Sequence, residues 1–91
     1  MTPLHWAAQY GHFEICHLIL KNIQDKNPEN IHGHTPLTLA AKFGHFETFK
    51  LLFDNVQEKN SIIVRLTRLQ LEGKLGDTHI EDYINFALNT N

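Results

Sequence analysis

Apolar residues along the chain fall into clusters with helical spacing, and the clusters come in pairs. Thr2 precedes the first pair and Thr35 precedes the second, and each threonine is followed by proline. A threonine hydroxyl accepts a hydrogen bond at a helix start, where proline gives up an N–H that lacks a partner. Gly11 and Gly44 stand where the first helix of each pair ends. The pattern predicts a short helix, a tight turn and a second helix in each half.

The two halves are copies of one unit. Residues 2–27 return as residues 35–60 without a gap, and more than half of the aligned positions are identical. A fixed period of this length is typical of a stacked repeat protein. The apolar positions of the predicted second helices are Ile15, Cys16, Leu18 and Ile19 in the first copy, and Phe49, Leu51, Leu52 and Phe53 in the second.

The segment Thr2-Pro3-Leu4-His5, followed by Ala7-Ala8 and Gly11-His12, resembles the ankyrin repeat, whose T-P-L-H-x-A signature and period it matches. The resemblance covers residues 2–60. It implies an all-α, ankyrin-like helical-hairpin repeat solenoid with short finger loops and about 2.5–3 repeats. We therefore predict one domain over residues 1–91, with repeats at 2–34 and 35–66 and a degenerate capping repeat at 67–91.

The last third of the chain keeps only part of the pattern. Three residues lie one position short of a full repeat period after their counterparts in the second copy: Thr67 after Thr35, Leu69 after Leu37 and Gly76 after Gly44. A worn third repeat is favoured over an unrelated helical hairpin, and both predict two helices. The first begins near Ile62 or at Thr67, with Glu72 and Gly73 at the alanine positions. The second runs from about His79 to Leu88, behind a capping box of Thr78 and Glu81.

The linker 22–34 and the start of the chain complete the repeat picture. Asn30 replaces the aspartate of the family's Asp-x-x-Gly-x-Thr-Pro pattern, and its side chain also bonds to nearby backbone. No finger precedes Thr2, so two interpretations stay open: a truncated longer array, which is favoured, or a chain that begins bare. We predict that Trp6, the counterpart of Leu39, lies in the core between repeats, and the alternative is that it is a binding hot spot.

Length, charge and cysteine content limit the classes of function. Ninety-one residues allow one domain, and the net charge of −2 with scattered Lys and Arg argues against nucleic acid or an anionic membrane. No apolar run approaches the ~20 residues of a membrane span, and no signal peptide opens the chain. Cys16 is expected to be a buried small hydrophobe, and a lone cysteine favours an intracellular, cytoplasmic location.

The sequence carries no catalytic pattern and no strong metal motif. Seven histidines are many for this length, but no Cys-x-x-Cys or His-Glu-x-x-His is present. His5, His12 and His45 fall on positions of the ankyrin signature, where an imidazole can bond to backbone or a capping hydroxyl. A phosphate loop and a nucleophile elbow are both missing. We predict a chain that is not an enzyme, with no cofactor, metal or small-molecule substrate.

The resemblance implies that contacts with a partner come from the fingers and the exposed side of the first helices. The residues at those positions are Gln9, Tyr10, Glu29, Ile31, His32, His34, Lys42 and Phe43. Tyr10, Ile31 and Phe43 make an apolar strip with polar edges, which suits a protein partner. In the alternative interpretation, Tyr10 and Phe43 pack as core. Two functions stay open: a protein-interaction module, or a terminal capping fragment whose partner is the rest of its own array.

The resemblance also implies a candidate modification. Some ankyrin proteins are substrates of an asparaginyl hydroxylase that prefers Leu, six residues, an acid, one residue and then Asn. Leu18 to Asn27 and Leu51 to Asn60 fit this spacing, so Asn27 and Asn60 are candidate sites. The alternative is that both side chains bond to turn backbone.

Overall fold

The computed structural model describes residues 2–26, 28–56 and 59–89, and these form six α-helices and no strand. The helices are α1 (Pro3–Gln9), α2 (Phe13–Leu20), α3 (Pro36–Lys42), α4 (Phe46–Asn55), α5 (Lys59–Leu71) and α6 (Thr78–Asn89). They follow one another as three pairs, so the predicted all-α helical repeat fold is confirmed. None of the described helices combines the length and the apolar character that crossing a membrane requires.

The first helix of each clear repeat begins as predicted. Thr2 caps α1, with its hydroxyl accepting from the His5 N–H at 3.3 Å. Thr35 caps α3 in the same way, accepting from the Thr38 N–H at 3.2 Å. A proline follows each cap at the start of the helix, where its missing N–H leaves no bond unmade.

The first helix of every pair ends in one hydrogen-bonding pattern, with a glycine at positive φ just beyond it. Those glycines are Gly11, Gly44 and Gly73, with φ of 71°, 78° and 70°. The N–H of the following residue then reaches a carbonyl five residues back: His12 to Ala7 at 2.8 Å, His45 to Ala40 at 2.9 Å and Lys74 to Leu69 at 2.9 Å. This is the Schellman arrangement, which satisfies carbonyls that the helix leaves unpaired.

The third pair has a different register from the one predicted. Gly73, and not Gly76, ends α5 and is the structural counterpart of Gly44. The predicted offset, which paired Gly76 with Gly44, is therefore wrong for the first helix of this pair. Thr67 is not a helix cap, because it lies inside α5 and its hydroxyl donates to the Ile63 carbonyl at 2.8 Å.

Helix α5 also begins earlier than predicted, at Lys59 instead of Ile62 or Thr67. Residues 28–34 form the finger of the first linker. One repeat period later, residues 61–67 are helical instead of forming a second finger. No glycine or proline interrupts them, and Ile63 and Leu66 gain burial as part of a helix. The predicted repeat boundary between residues 66 and 67 falls within α5, and the division into repeats stays a prediction.

The three pairs share one hydrophobic core. Helix α1 packs on α3, α2 packs on α4, and α6 packs on α4. The alanine pairs of α1 and α3 are buried, as their small size predicted, and Phe49 of α4 is completely buried. The ring of Tyr83 in α6 meets the rings of Phe49 and Phe53 edge-on, with centroids 6.0 and 5.6 Å apart. Ile80 and Ile84 are fully buried beside them, which joins the third pair to the second.

The start of α6 differs from the predicted capping box. Asp77, and not Thr78, supplies the capping group, since its Oδ1 accepts from the His79 N–H at 2.9 Å. Thr78 is already the first helical residue. Two hydrogen bonds from His79 lower the pKa of the Asp77 carboxyl. The bond from the backbone N–H has the larger effect and the bond from the ring has the smaller one.

Removing the Asp77 cap is expected to lower the melting temperature, and acid should have the same effect. A carboxyl whose pKa is lowered by folding stabilises the protein above its ordinary pKa near 4. That contribution is lost as the pH falls through the lowered value. Asp77→Ala should melt below the wild type at pH 7, and the gap should be smaller at pH 2.5, where more of the Asp77 carboxyl is protonated. Asp77→Asn is the matched control, because its amide oxygen still caps the helix. A thermal scan at both pH values measures this, and an unchanged gap at low pH would contradict it.

Candidate functional site

The linker between the first two pairs forms one tight finger. The Asn30 N–H donates to the His34 carbonyl at 2.9 Å, and the Gly33 N–H donates to the Asn30 carbonyl at 3.0 Å. The side-chain oxygen of Asn30 accepts from the N–H groups of His32 and His34, at 2.9 and 3.0 Å. Gly33 has φ of 78°, which a residue with a Cβ adopts at a cost. The predicted role of Asn30 in bonding to turn backbone is confirmed.

A buried histidine holds the base of the finger against α1. His5 Nε2 lies 3.0 Å from the His34 carbonyl oxygen. A carbonyl can only accept, so Nε2 carries the hydrogen and Nδ1 is left to accept from the Thr2 N–H at 3.1 Å. One imidazole thus ties the helix cap of the first pair to the finger ahead of the second.

Arg65 of α5 fixes the finger from the other side, and sequence reasoning missed this residue. Its guanidinium donates to the Gly33 carbonyl at 3.3 Å and lies 3.8 Å from the Glu29 carboxylate. Both charged groups are about half exposed, so the ion pair itself adds little stability. Its effect is positional, because the finger is held between α1 and α5. The signal in the sequence was the helical pattern running back from Leu66 toward Lys59, which brings Arg65 beside the finger.

The predicted binding residues occupy the finger and the C-terminal ends of α1 and α3, and most of them are exposed. Ile31 at the finger tip is 95% exposed, and Phe43 beyond α3 is 48% exposed. Lys42 lies over the Phe43 ring, 5.9 Å from its centroid. Glu29 and His32 are exposed, whereas His34 and Gln9 are half-buried. We use "finger-side surface" for the residues Glu29, Ile31, His32, His34, Lys42, Phe43 and Arg65.

The finger-side surface has positive groups around its centre. Burial lowers the pKa of His34, and the nearby positive charge of Lys42 lowers it further. His32, His5 and Arg65 act on it in the same direction with smaller effects. The imidazole of His34 is therefore held in its neutral form beside a lysine and an arginine. This electrostatic pattern suits a negatively charged group approaching from solvent.

Tyr10 follows α1 as its counterpart Phe43 follows α3. Its ring stacks on Trp6, with centroids 6.0 Å apart and an angle of 4° between the ring planes. The two rings border a shallow cavity of about 520 Å³ on the outer side of the first pair, which Pro3, Ala7, His12 and Ile15 also line. The alternative in which Tyr10 and Phe43 pack as core is wrong, since both are about half exposed.

The prediction that Trp6 lies in the core is also wrong. Trp6 is 50% exposed, whereas its counterpart Leu39 is only 5% exposed. The reason is that α1 covers the side of α3 on which Leu39 lies, while no described helix covers the same side of α1. Ile15 and Leu18, predicted on the apolar face of α2, are exposed for the same reason.

A second histidine links the first pair to the second. His45 Nε2 lies 2.9 Å from the Gln9 carbonyl oxygen, so the ring donates to the backbone at the end of α1. The same ring lies against Gly11, where an added Cβ would come within 2.5 Å of Nδ1. Gln9 thus contributes its carbonyl to the stacking of the pairs. His12, the counterpart of His45, is exposed.

The remaining candidates for chemistry are a metal site, the cysteine thiol and the two asparagines proposed as modification sites. Across residues 2–26, 28–56 and 59–89, no three His, Cys, Asp or Glu side chains are grouped closely enough to hold a metal ion. Cys16 is buried as predicted, and burial raises the pKa of its thiol to about 11, which keeps it protonated and unreactive. Of the candidate modification sites, Asn27 lies outside the described residues. Asn60 is described only by its backbone, in the first turn of α5.

A comparison with known protein families finds a match over most of the chain. The family model described as ankyrin repeats (3 copies) matches residues 1–63. This match includes the capped helices, the finger and both histidine links between pairs. A search of the curated proteins finds no match to the chain.

Proposed function

The chain belongs to the ankyrin repeat family, and from this premise we propose that its finger-side surface binds a protein partner. Ankyrin repeats generally mediate protein–protein interaction and are typically non-catalytic. The proposed role is therefore that of an interaction module that carries out no chemical step. An intracellular setting fits this role, since a lone cysteine forms no internal disulfide.

The observation that carries the proposal is the exposure of large apolar side chains on a firmly held backbone. Ile31 is almost completely exposed at the finger tip, and Phe43 is half exposed at the C-terminal end of α3. The finger beneath Ile31 is fixed by His5 on one side and Arg65 on the other. A partner therefore meets a preformed surface and loses little binding energy to ordering it.

The charges on this surface support a partner with a particular chemistry. The positive charges of Lys42 and Arg65 lie close enough to His34 to lower its pKa, while Glu29 already has Arg65 within ion-pair distance. We expect the partner segment to combine an apolar side chain, seated against Ile31 and Phe43, with an acidic group near Lys42. The net charge of the whole chain is −2, so this surface departs from the average charge of the protein.

The alternative proposal is a structural role, in which the chain is a terminal capping fragment of a longer array and has little binding of its own. The exposed outer side of the first pair favours this alternative, because it is apolar and lacks a covering helix among the described residues. The two proposals differ in the surface they use. Substitutions at Ile31 and Phe43 affect only the first.

Paired substitutions on two faces of the molecule test the proposal. Bait protein carrying Ile31→Ser and Phe43→Ser should lose a partner that wild-type bait captures from extracts of cells that express it. Each truncated apolar contact at an interface centre costs about 1–2 kcal/mol or more, so the double change lowers affinity at least about tenfold. The matched control carries Val64→Ser and Phe86→Ser, which are similarly exposed on α5 and α6.

The measurement is quantitative mass spectrometry of the captured proteins, with the melting temperature of each bait recorded alongside. The control bait should capture the partner as the wild type does, and all three baits should melt within a few degrees of each other. Equal capture by the Ile31/Phe43 variant would refute the finger-side surface as the binding site. A partner lost only because that variant melts earlier would refute it as well.

A further inference from the structure

Arg65 has more hydrogen-bond donors than the described residues accept. Its guanidinium carries its N–H groups in a planar fork. Among the described groups, the Gly33 carbonyl accepts one of them, at 3.3 Å from Nη1. The Glu29 oxygen Oε1 is 3.8 Å from Nη2, which is longer than the ~2.7–2.9 Å of a charge-assisted hydrogen bond. The arginine side chain is 47% exposed, so its other N–H groups are open to a group that approaches from solvent.

Glu29 is the internal partner of this arginine, and the contact between them is loose. The carboxylate lies along the turn of the finger, where Gly33 leaves room for it, since an added Cβ would be 3.3 Å from Oε1. The Glu29 side chain is 54% exposed, and an exposed pair at this separation adds little stability. A second carboxylate with better geometry can therefore take the place of Glu29. The finger would keep its shape, because the Asn30 side chain closes the turn.

The apolar tip of the finger is close to this ion pair in the chain. Ile31 is two residues after Glu29 and two before the glycine that bonds to Arg65. Neighbouring Cα atoms of a peptide are about 3.8 Å apart, so a peptide with an apolar side chain on Ile31 can carry a carboxylate within reach of Arg65. The positive charges of Lys42 and Arg65 both act on His34, and this local field attracts that carboxylate.

We propose that Arg65 is the anchor for a carboxylate of the partner, and that Glu29 competes with this carboxylate in the free protein. The proposal rests on the finger-side surface as the binding site and adds the residue that selects the acidic group of the partner. Lys42 attracts this group as a point charge, whereas the planar fork of Arg65 holds a carboxylate by two parallel hydrogen bonds. Binding then exchanges a loose ion pair for a closer one, and Glu29 weakens binding by repelling the incoming carboxylate.

Peptides selected on the whole protein test the proposal. A random-peptide phage library is panned on the wild type, and the most enriched sequence is synthesised with a fluorescent label. A second peptide has each Asp or Glu replaced by its amide. Fluorescence polarisation gives the Kd of both peptides for the wild type and for Arg65→Gln. The acidic peptide should bind Arg65→Gln at least about tenfold more weakly than the wild type, whereas the amide peptide should bind both proteins equally.

Glu29→Gln should have the opposite effect, which a purely structural role of Glu29 would not produce. With the competing carboxylate removed, the acidic peptide should bind about threefold or more tightly, and this gain should shrink at high salt. Glu14→Gln is the matched control, because it removes the same charge from an exposed residue in the first turn of α2. The Kd of this control should stay within about twofold of the wild type.

Several results would overturn the proposal. They are a selected peptide without Asp or Glu, an equal loss of both peptides on Arg65→Gln, or a Glu29→Gln variant that binds the acidic peptide no more tightly than the wild type does. The finger-side surface still stands after these results if the selected peptide fails to bind the variant with Ile31→Ser and Phe43→Ser. Binding that persists in this double variant refutes the surface itself, and the proposal fails with it.

Discussion

Gly76→Ala is expected to destabilise the protein by about 2–3 kcal/mol or more, although Gly76 does not have positive φ. Its N–H donates to the Ala41 carbonyl at 3.0 Å, so the loop ahead of α6 lies directly on the end of α3. An added Cβ would be 2.6 Å from both the Gly44 nitrogen and the Lys42 carbonyl oxygen. These are backbone atoms and cannot rotate away, so the loop and α3 must separate.

Gly73→Ala is the matched control for this prediction. Gly73 has φ of 70°, but nothing lies within 4 Å of an added Cβ. Alanine there costs only the strain of the left-handed conformation, about 1–2 kcal/mol. Urea unfolding of the two variants should give the larger loss for Gly76→Ala. The reverse order would contradict the close contact between the third pair and α3.

Phe49→Ala is expected to cost about 3–5 kcal/mol, the largest effect of any change considered for this chain. Phe49 is completely buried in α4 and contacts Phe53 and Tyr83 through ring centroids 6.0 Å away in each case. Alanine removes these contacts and leaves a cavity where the second and third pairs meet. A small domain has a total stability of about 5–15 kcal/mol, so much of that margin would be lost.

Phe86→Ala serves as the control for Phe49→Ala. Phe86 lies on α6 and is exposed, so its truncation should change the free energy of unfolding by no more than about 0.5 kcal/mol. Thermal unfolding followed by circular dichroism compares the two variants with the wild type. Similar melting temperatures for both variants would mean that Phe49 does not join the pairs as the structure indicates.

The sequence predicted the features of the fold that depend on local chemistry. Thr2 and Thr35 cap their helices, Gly11 and Gly44 end them, and the side chain of Asn30 closes the finger. Each of these roles follows from what one residue type does to the backbone beside it. Features that depend on a repeated local signal of this kind can be predicted without knowledge of the tertiary contacts.

The third pair was harder because its local signals compete. Gly73 and Gly76 are both able to end a helix, and counting from Gly44 favoured the wrong one. The choice depended on a tertiary contact, since Gly76 is needed where the loop touches Gly44. Thr78 and Asp77 are likewise both good caps, and only the start of α6 decides between them.

The candidate binding residues were predicted in kind but not in arrangement. The resemblance to the ankyrin repeat implied that Ile31, Lys42 and Phe43 are surface positions, and they are exposed. Periodicity equated Trp6 with Leu39, but it describes a type of position and not whether a neighbour covers it. Arg65 was missed because its contact with the finger joins two distant parts of the sequence through the fold.

The three helix pairs are expected to unfold as one cooperative stack, which holds the finger-side surface as a unit. Urea unfolding of the wild type and Ile84→Ala tests it, with the fluorescence of Trp6 and far-ultraviolet circular dichroism as two probes. Trp6 is the only tryptophan and lies in the first pair, whereas Ile84 is buried in the third. We expect both probes to give the same midpoint, and Ile84→Ala to lower both midpoints equally. An unchanged Trp6 transition in Ile84→Ala would show that the third pair unfolds separately and that the three pairs are not one cooperative unit.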